Sequence, residues 1–354
     1  MEFEEALRAA LAAEESGDLV GGAAILEPLL QAADPRRAAE ARLHLGRVRW
    51  KQGHLDEALD LCREASGTAL RIGADDLRAQ ADNAMGVLHT TRGEYVQAAA
   101  SYHSALERTP DPVTRGKILL NLGVIANIEG HLDLARQQYE HARALFKQSG
   151  DERNEALALH NMGMLHSDAG EWDEADDRLG RALALFEAQG NRLMIAYVLV
   201  NQSEVACGRG RPEEAIRLCD LALRMYAELG HEPGRCEALK WKGHGLRLLG
   251  EGRRAREVLG EALRMAKRLR LKLLEAETAR ELGAGLMAGG EAAAGRRLLE
   301  RARRLFVALG AERDAEAVRS ELGTDEQVPG ARPGPDRAST GTTPGSPPKG
   351  APPT

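Results

Sequence analysis

Aromatic residues make up only 3% of this 354-residue chain. Ring stacking therefore cannot supply most of a core, although 43% hydrophobic residues leave ample leucine and alanine to build one. No apolar run reaches the roughly 18–20 residues that a membrane-crossing helix needs. The first residues are acidic and amphipathic, unlike a basic-then-apolar signal peptide. The expectation is a cytoplasmic protein with no membrane partner.

The four cysteines, Cys62, Cys207, Cys219 and Cys236, contain no Cys-x-x-Cys pair and form neither a disulfide framework nor a zinc motif. Free cysteine is usually buried, and Cys62 and Cys219 read as core fillers. No catalytic constellation is present either. His160 and His166 are six residues apart, which is not the His-x-x-x-His spacing of a helical metal site. His89 and His166 share one register and read as partly buried structural residues. The glycine-rich run from Gly283 to Gly290 follows no predicted strand, so it does not read as a nucleotide loop. The acids Glu171, Asp173, Glu174, Asp176 and Asp177 sit at a helix start, where negative charge is favoured, and lack calcium-loop spacing. The reading is no enzyme, no cofactor and no metal.

What the sequence does have is a period. Asn121-Leu122-Gly123 returns as Asn161-Met162-Gly163. A small residue recurs at Gly46, Gly86, Gly123, Gly163, Ser203, Gly243 and Gly283, in steps of 40 residues with one of 37. A second glycine follows each: Gly53, Gly93, Gly130, Gly170, Gly210, Gly250 and Gly290. Alanine follows in two further registers, the first from Ala58 to Ala255 and the second from Ala65 to Ala302. A fixed-period self-match overrides any local fold assignment. The segment before each second glycine has helical apolar spacing, as in Ile118, Leu119, Leu122 and Ile125. The glycine stops that helix, and a second helix starts at once, in one case with Pro212 in its first turn. The small registers let paired helix backbones approach to about 8–10 Å.

Leu122-Gly123, Gly130, Ala135, Tyr139 and Ala142 match the tetratricopeptide repeat signature, and the chain resembles that family over roughly residues 2–311. The unit is longer than the family's period of about 34 residues, which places the extra turn in the second helix. It is similar to the variety found in kinesin light chains, bacterial peptide-pheromone receptors and the sensor domains of maltose-type activators. The resemblance implies an all-α, right-handed superhelical solenoid of about eight helix-turn-helix units spanning 1–323. A degenerate first unit occupies 2–34, with helices at 2–15 and 19–33 around Gly17. Seven clear units run to 310, and a capping helix at 312–322 closes the stack, as repeat arrays require. The short step contains Thr109-Pro110-Asp111-Pro112, a compact turn. Residues 324–354 hold eight prolines and five glycines, too little apolar material to offset ordering entropy, and read as a disordered tail.

In the family the first helices line a concave groove. One register there reads Asn121, Asn161 and Asn201, although asparagine is a poor residue within a helix. Its amide offers both a donor and an acceptor to a peptide backbone. His160, Met164, Tyr197, Glu204, Lys240, Trp241, His244 and Arg247 are the neighbouring groove candidates. The lysine–asparagine clamp of some relatives is not reproduced, since Leu120, Val124 and Val200 stand in its polar positions. Acidic residues outnumber basic ones up to residue 230, and the reverse holds from 231 to 322. Most of Arg253, Arg254, Arg256, Arg264, Lys267, Arg268, Arg270 and Lys272 fall on second helices or in loops, and no aromatics interleave, so they read as a solvated face and not as a specific nucleic-acid site. The expected function is a non-enzymatic scaffold for a protein or peptide client. The alternative is a regulatory module that senses a ligand and switches a partner kinase or transcription factor.

Overall fold

The computed structural model describes residues 3–15 and 18–323, and within them every element of regular structure is helical. The expected tail, 324–354, and the Gly17 turn lie outside the described residues. The fold is an all-α helical-repeat solenoid of seventeen α-helices among the described residues. After α1 (Phe3–Glu15) and α2 (Leu19–Leu26), the helices alternate as first and second members of a pair. The pairs are α3 (Pro35–Lys51) with α4 (Leu55–Ile72), then α5 (Asp75–Thr91) with α6 (Tyr95–Arg108), then α7 (Pro112–Ile128) with α8 (Leu132–Gln148). They continue as α9 (Glu152–Asp168) with α10 (Trp172–Ala188), α11 (Arg192–Gly208) with α12 (Pro212–Leu229), and α13 (Glu232–Leu248) with α14 (Gly252–Arg268). The last pair is α15 (Lys272–Ala288) with α16 (Ala292–Ala308), followed by the single helix α17 (Glu312–Gly323).

The chain divides into two compact units. One comprises Met1–Ile125 with His141–Asp151, the other Ala126–Glu140 with the chain from Glu152 onward. In both, the repeat registers do the work their size allows. A Cβ built on Gly86 would stand 2.5 Å from the Tyr102 ring, and one on Gly163 2.7 Å from Leu179 Cγ. Gly243 faces Leu259 in the same way, at 2.5 Å. The one unit with a side chain in this register, Ser203, faces the small Cys219, whose thiol donates to its hydroxyl at 3.2 Å. Both alanine registers are buried wherever they hold alanine, from Ala58 to Ala255 and from Ala65 to Ala302. All seven second glycines have positive φ, between 70° and 85°. That left-handed conformation costs a residue without Cβ little, and it lets the chain reverse between helices.

Two details differ from the sequence expectation. The second helix of the first unit is not one helix over 19–33: α2 stops at Leu26 and a 3-10 turn, Glu27–Gln31, follows. Pro28 has no N–H to donate to the preceding turn, which ends the α-helical ladder there. Secondly, the long period is not carried by the second helices alone, since first and second helices alike are 17 residues in α9 and α10. The short step comes from α6, which is only 14 residues. It ends at Thr109, whose extended ψ of 119° is what a following proline demands. The core is mainly alanine and leucine, as expected, with some of the scarce aromatics among them. Phe146, Phe186, Tyr226 and Phe306 are fully buried and share one second-helix register, 40 residues apart or a multiple of it.

Candidate functional site

First helices of the second unit carry the polar side chains that face one another across the repeats. On a 17-residue helix packed on one side against its pair, positions spaced by three and four form the remaining face. In α13 those positions include Lys240, Trp241, His244 and Arg247. Lys240 is only 3% exposed. A buried ammonium must be paired, and its Nζ lies 2.6 Å from a carboxylate oxygen of Glu277 on α15. The same ammonium stands 4.8 Å from the centroid of the Trp241 ring, and that ring meets His244 edge-on at 5.4 Å. His244 Nδ1 and Arg247 Nε both reach Glu281 on α15, at 2.7 and 3.2 Å. Burial alone would raise the Glu281 carboxyl, but the His244 hydrogen bond and the two charges hold it down at about 2. Arg280, on α15, in turn meets Glu321 and Asp314 of α17 at 2.5 and 3.9 Å. Each cation thus leans on an acid of the next first helix, forming a ladder along α13, α15 and α17.

A cavity of about 270 Å³ opens on this ladder. Glu204, Lys240, Trp241 and His244, four of the sequence candidates, line it. It also takes in Ser167 and Asp168 from α9, Glu277, Arg280 and Glu281 from α15, and Arg313 and Asp314 from α17. Sequence reasoning missed these seven. Part of the signal was the period itself: stepping Lys240 and Trp241 forward by 40 gives Arg280 and Glu281.

The other candidates are placed differently. His160 is 4% and Asn201 7% exposed. The Asn201 amide nitrogen donates to His160 Nε2 at 2.7 Å, which leaves the proton on Nδ1, 3.4 Å from Asn161 Oδ1. Burial pushes His160 down to about 4, so it is neutral. The Asn201 side chain is therefore turned to α9 and not displayed. Asn161 is half-buried, and Met164 is buried. Asn121 belongs to the first compact unit and the other two asparagines to the second. Tyr197 is half-buried, with its hydroxyl 3.3 Å from His231 Nε2. His231 Nδ1 accepts from the Gly234 N–H and caps α13. The basic residues of α14 line none of this cavity. Of the structural histidines, His89 and His166 each meet the acid that precedes the second helix, Glu94 and Glu171, at 2.5 Å. The His166 hydrogen bond helps to hold the Glu171 carboxyl below its ordinary range. All four cysteines are buried. Among the described residues no three His, Cys, Asp or Glu side chains are grouped to hold a metal ion, and no helix is long and apolar enough to cross a membrane.

Paired helices with small-residue seams, repeated at a fixed period, define an α-helical repeat protein. Residues 114–188 match the family model described as tetratricopeptide repeat, and the helix pairs on either side of that stretch follow the same pattern. Solved structures agree in fold. A Rap protein complexed with Competence and Sporulation Factor has a TM-score of 0.63 at 14% identity, covering 91% of this chain and 96% of that one. Aspartyl phosphate phosphatase F from Bacillus subtilis gives 0.55 at 12% identity, covering 95% and 97%. A tetratricopeptide repeat protein from Parabacteroides merdae gives 0.51 at 18% identity, covering 78% and 98%. No curated protein matches the chain.

Proposed function

We propose that this protein is a non-enzymatic binding module that holds a segment of a partner protein or a peptide against the first helices α9 to α17. The observation that carries this reading is the polar cavity on the cation–acid ladder, with Trp241 in its wall. An aromatic beside satisfied charges offers contact area with little entropy to lose, while the charged rim selects orientation. The ladder is already paired, so a client need not neutralise it; it adds hydrogen bonds to a preorganised wall. The solved Rap protein of like fold is complexed with Competence and Sporulation Factor, which supports a ligand-binding role and the second reading as a regulatory module. Conversion of a substrate is not part of the proposal.

The test begins with capture from lysate on the wild-type chain and on a Trp241→Ala/His244→Ala variant, both shown folded by circular dichroism. A client specific to the wild type, reproduced by calorimetry with its isolated segment and weakened at least about tenfold by the variant, supports the assignment. Equal retention by both chains removes the cavity from the binding surface.

A further inference from the structure

A second cavity, of about 260 Å³, lies in the seam between α14 and α15, with Arg247 and Gly250 at its edge. Its floor is buried and apolar, formed by Ala255 and Leu259 of α14 and by Leu282 and Leu286 of α15. Its mouth is exposed, at Gly252, Ala288 and Gly289. Protein interiors are close-packed, so an apolar void of this size between paired helices asks for a reason.

The repeat shows what the void lacks. Eighty residues earlier, in the seam between α10 and α11, the register of Gly252 is Trp172. That indole packs, half-buried, against the cluster of Ala175, Leu179 and Val205, whose registers in the later seam are Ala255, Leu259 and Gly285. A Cβ on Gly208, the register of Ala288, would stand 2.7 Å from the Trp172 ring. Arg209 then straps that seam, its Nη1 donating to Asp176 at 2.5 Å. In the later seam the tryptophan, the valine and the strapping arginine are all replaced by glycine, as Gly252, Gly285 and Gly289. Outside its own helix, a Cβ on Gly252 would meet nothing within 4 Å, and one on Gly285 only Arg247 Cδ, at 3.5 Å. The intervening seam is closed: Ile216 Cγ1 would lie 3.2 Å from a Cβ on Gly245.

Resting on the reading of the first helices as the client face, we infer that this seam cavity takes an aromatic side chain of the client. The size suits a ring: an apolar cavity of about 150 Å³ is enough to hold benzene, and the chain itself sets an indole in the equivalent space. Two guanidinium groups border the opening, Arg247 held by Glu281 at 3.2 Å and Arg256 held by Glu291. A guanidinium favours the electron-rich face of an aromatic ring, and aromatic side chains are prominent among the anchors of protein interfaces. Glu281 also lines the polar cavity, so the two openings share the Arg247–Glu281 pair and one client can span both. The ring has to come from another protein. Residues 324–354 contain no aromatic residue, and no aromatic residue of the chain is exposed for a second copy to offer.

The probe is N-acetyl-5-fluorotryptophanamide, titrated onto the full chain and followed by its own fluorine resonance, so that the tryptophans of the protein do not interfere. It should saturate at millimolar concentration. N-acetylphenylalaninamide should displace it, and N-acetylleucinamide should do so about tenfold less well or worse. Gly252→Trp rebuilds the ring of the earlier repeat; it should abolish binding and raise the midpoint of thermal unfolding. Gly285→Val restores the side chain of Val205 and should weaken binding about tenfold, whereas Gly252→Ala, with room for its methyl group, should leave it within about twofold. The inference is overturned if the probe fails to saturate, if the leucine amide competes as well as the phenylalanine amide, or if either Gly252→Trp or Gly285→Val, with wild-type helicity, binds the probe like the wild type. Client capture separates the two readings. A client lost with Trp241→Ala/His244→Ala but retained in full by Gly252→Trp leaves the polar cavity as the client site and removes the ring site. A client lost with Gly252→Trp but indifferent to Trp241→Ala/His244→Ala keeps the ring site and removes the polar cavity.

Discussion

At the scale of single residues, the helix seams are decided by what a methyl group would strike. Gly163 sits under Leu179, whose Cγ and backbone nitrogen would lie 2.7 and 3.3 Å from an added Cβ. Gly163→Ala should lower stability by about 1–3 kcal/mol through overpacking, despite the better helix propensity of alanine. Gly180, in the middle of α10, has nothing within 4 Å of such a Cβ, and Gly180→Ala should gain about 0.5–1 kcal/mol. Urea denaturation of both variants checks the contrast, and loss of the sign difference would show that the seam is looser than drawn. The turn between units makes a second case. Gly73, Gly150, Gly190, Gly230 and Gly310 end their units with positive φ, and Arg270 holds the same register at φ 58°. A non-glycine residue there costs about 1 kcal/mol. Arg270→Gly should therefore raise the midpoint of thermal unfolding, and a lowered midpoint would count against strain at this turn. These small-residue positions were legible in the sequence because a repeat states each steric demand several times over.

At the scale of elements, legibility divides sharply. Which helices pair, and where each stops, follows from glycine and alanine spacing. The polar partners across neighbouring first helices do not, because they depend on which side chain reaches the next unit. Lys240 pairs 37 residues ahead, with Glu277, and Arg280 pairs 41 ahead, with Glu321; neither offset is the repeat period. The asparagine register shows the limit well. Its recurrence is visible in the sequence, yet Asn201 is locked to His160 while Asn161 makes only a long contact. Asn201→Ala leaves the buried His160 Nε2 without a donor and should cost about 1–3 kcal/mol. Asn161→Ala, at a half-buried position, should be neutral or gain up to about 0.5 kcal/mol from helix propensity. Thermal melts of the two single variants separate these roles. Equal effects would mean that the register acts as one ladder after all.

At the scale of the whole molecule, burial of neutral histidine ties stability to pH. His160 titrates at about 4 in the fold because burial disfavours its charged form, and protonating Nε2 would set two donors, its own N–H and the Asn201 amide, against each other. His44, in the other compact unit, is likewise pushed down to about 4, by burial and then by the charge of Arg47. In the unfolded chain both return to about 6.5. Above that pH both states are neutral and the full stability is present. As pH falls from about 6.5 towards 4, the unfolded state takes up protons that the folded state refuses, so stability declines through that window. A pKa lowered from 6.5 to about 4 corresponds to about 3 kcal/mol for His160 by pH 4, with a smaller share from the half-buried His44. The carboxylates act lower. Glu281, held at about 2, keeps its contribution down to about pH 4.5 and loses it below. The expected result is a denaturation free energy that falls between pH 7 and pH 5, with no matching change at higher pH. His160→Gln, which keeps a hydrogen-bonding amide but cannot titrate, should be less stable at pH 7 and visibly flatter across the same window. A wild-type profile that is level from pH 7 to pH 5 would place the His160 side chain in contact with water, and with it would go the reason for Asn201 to face inward.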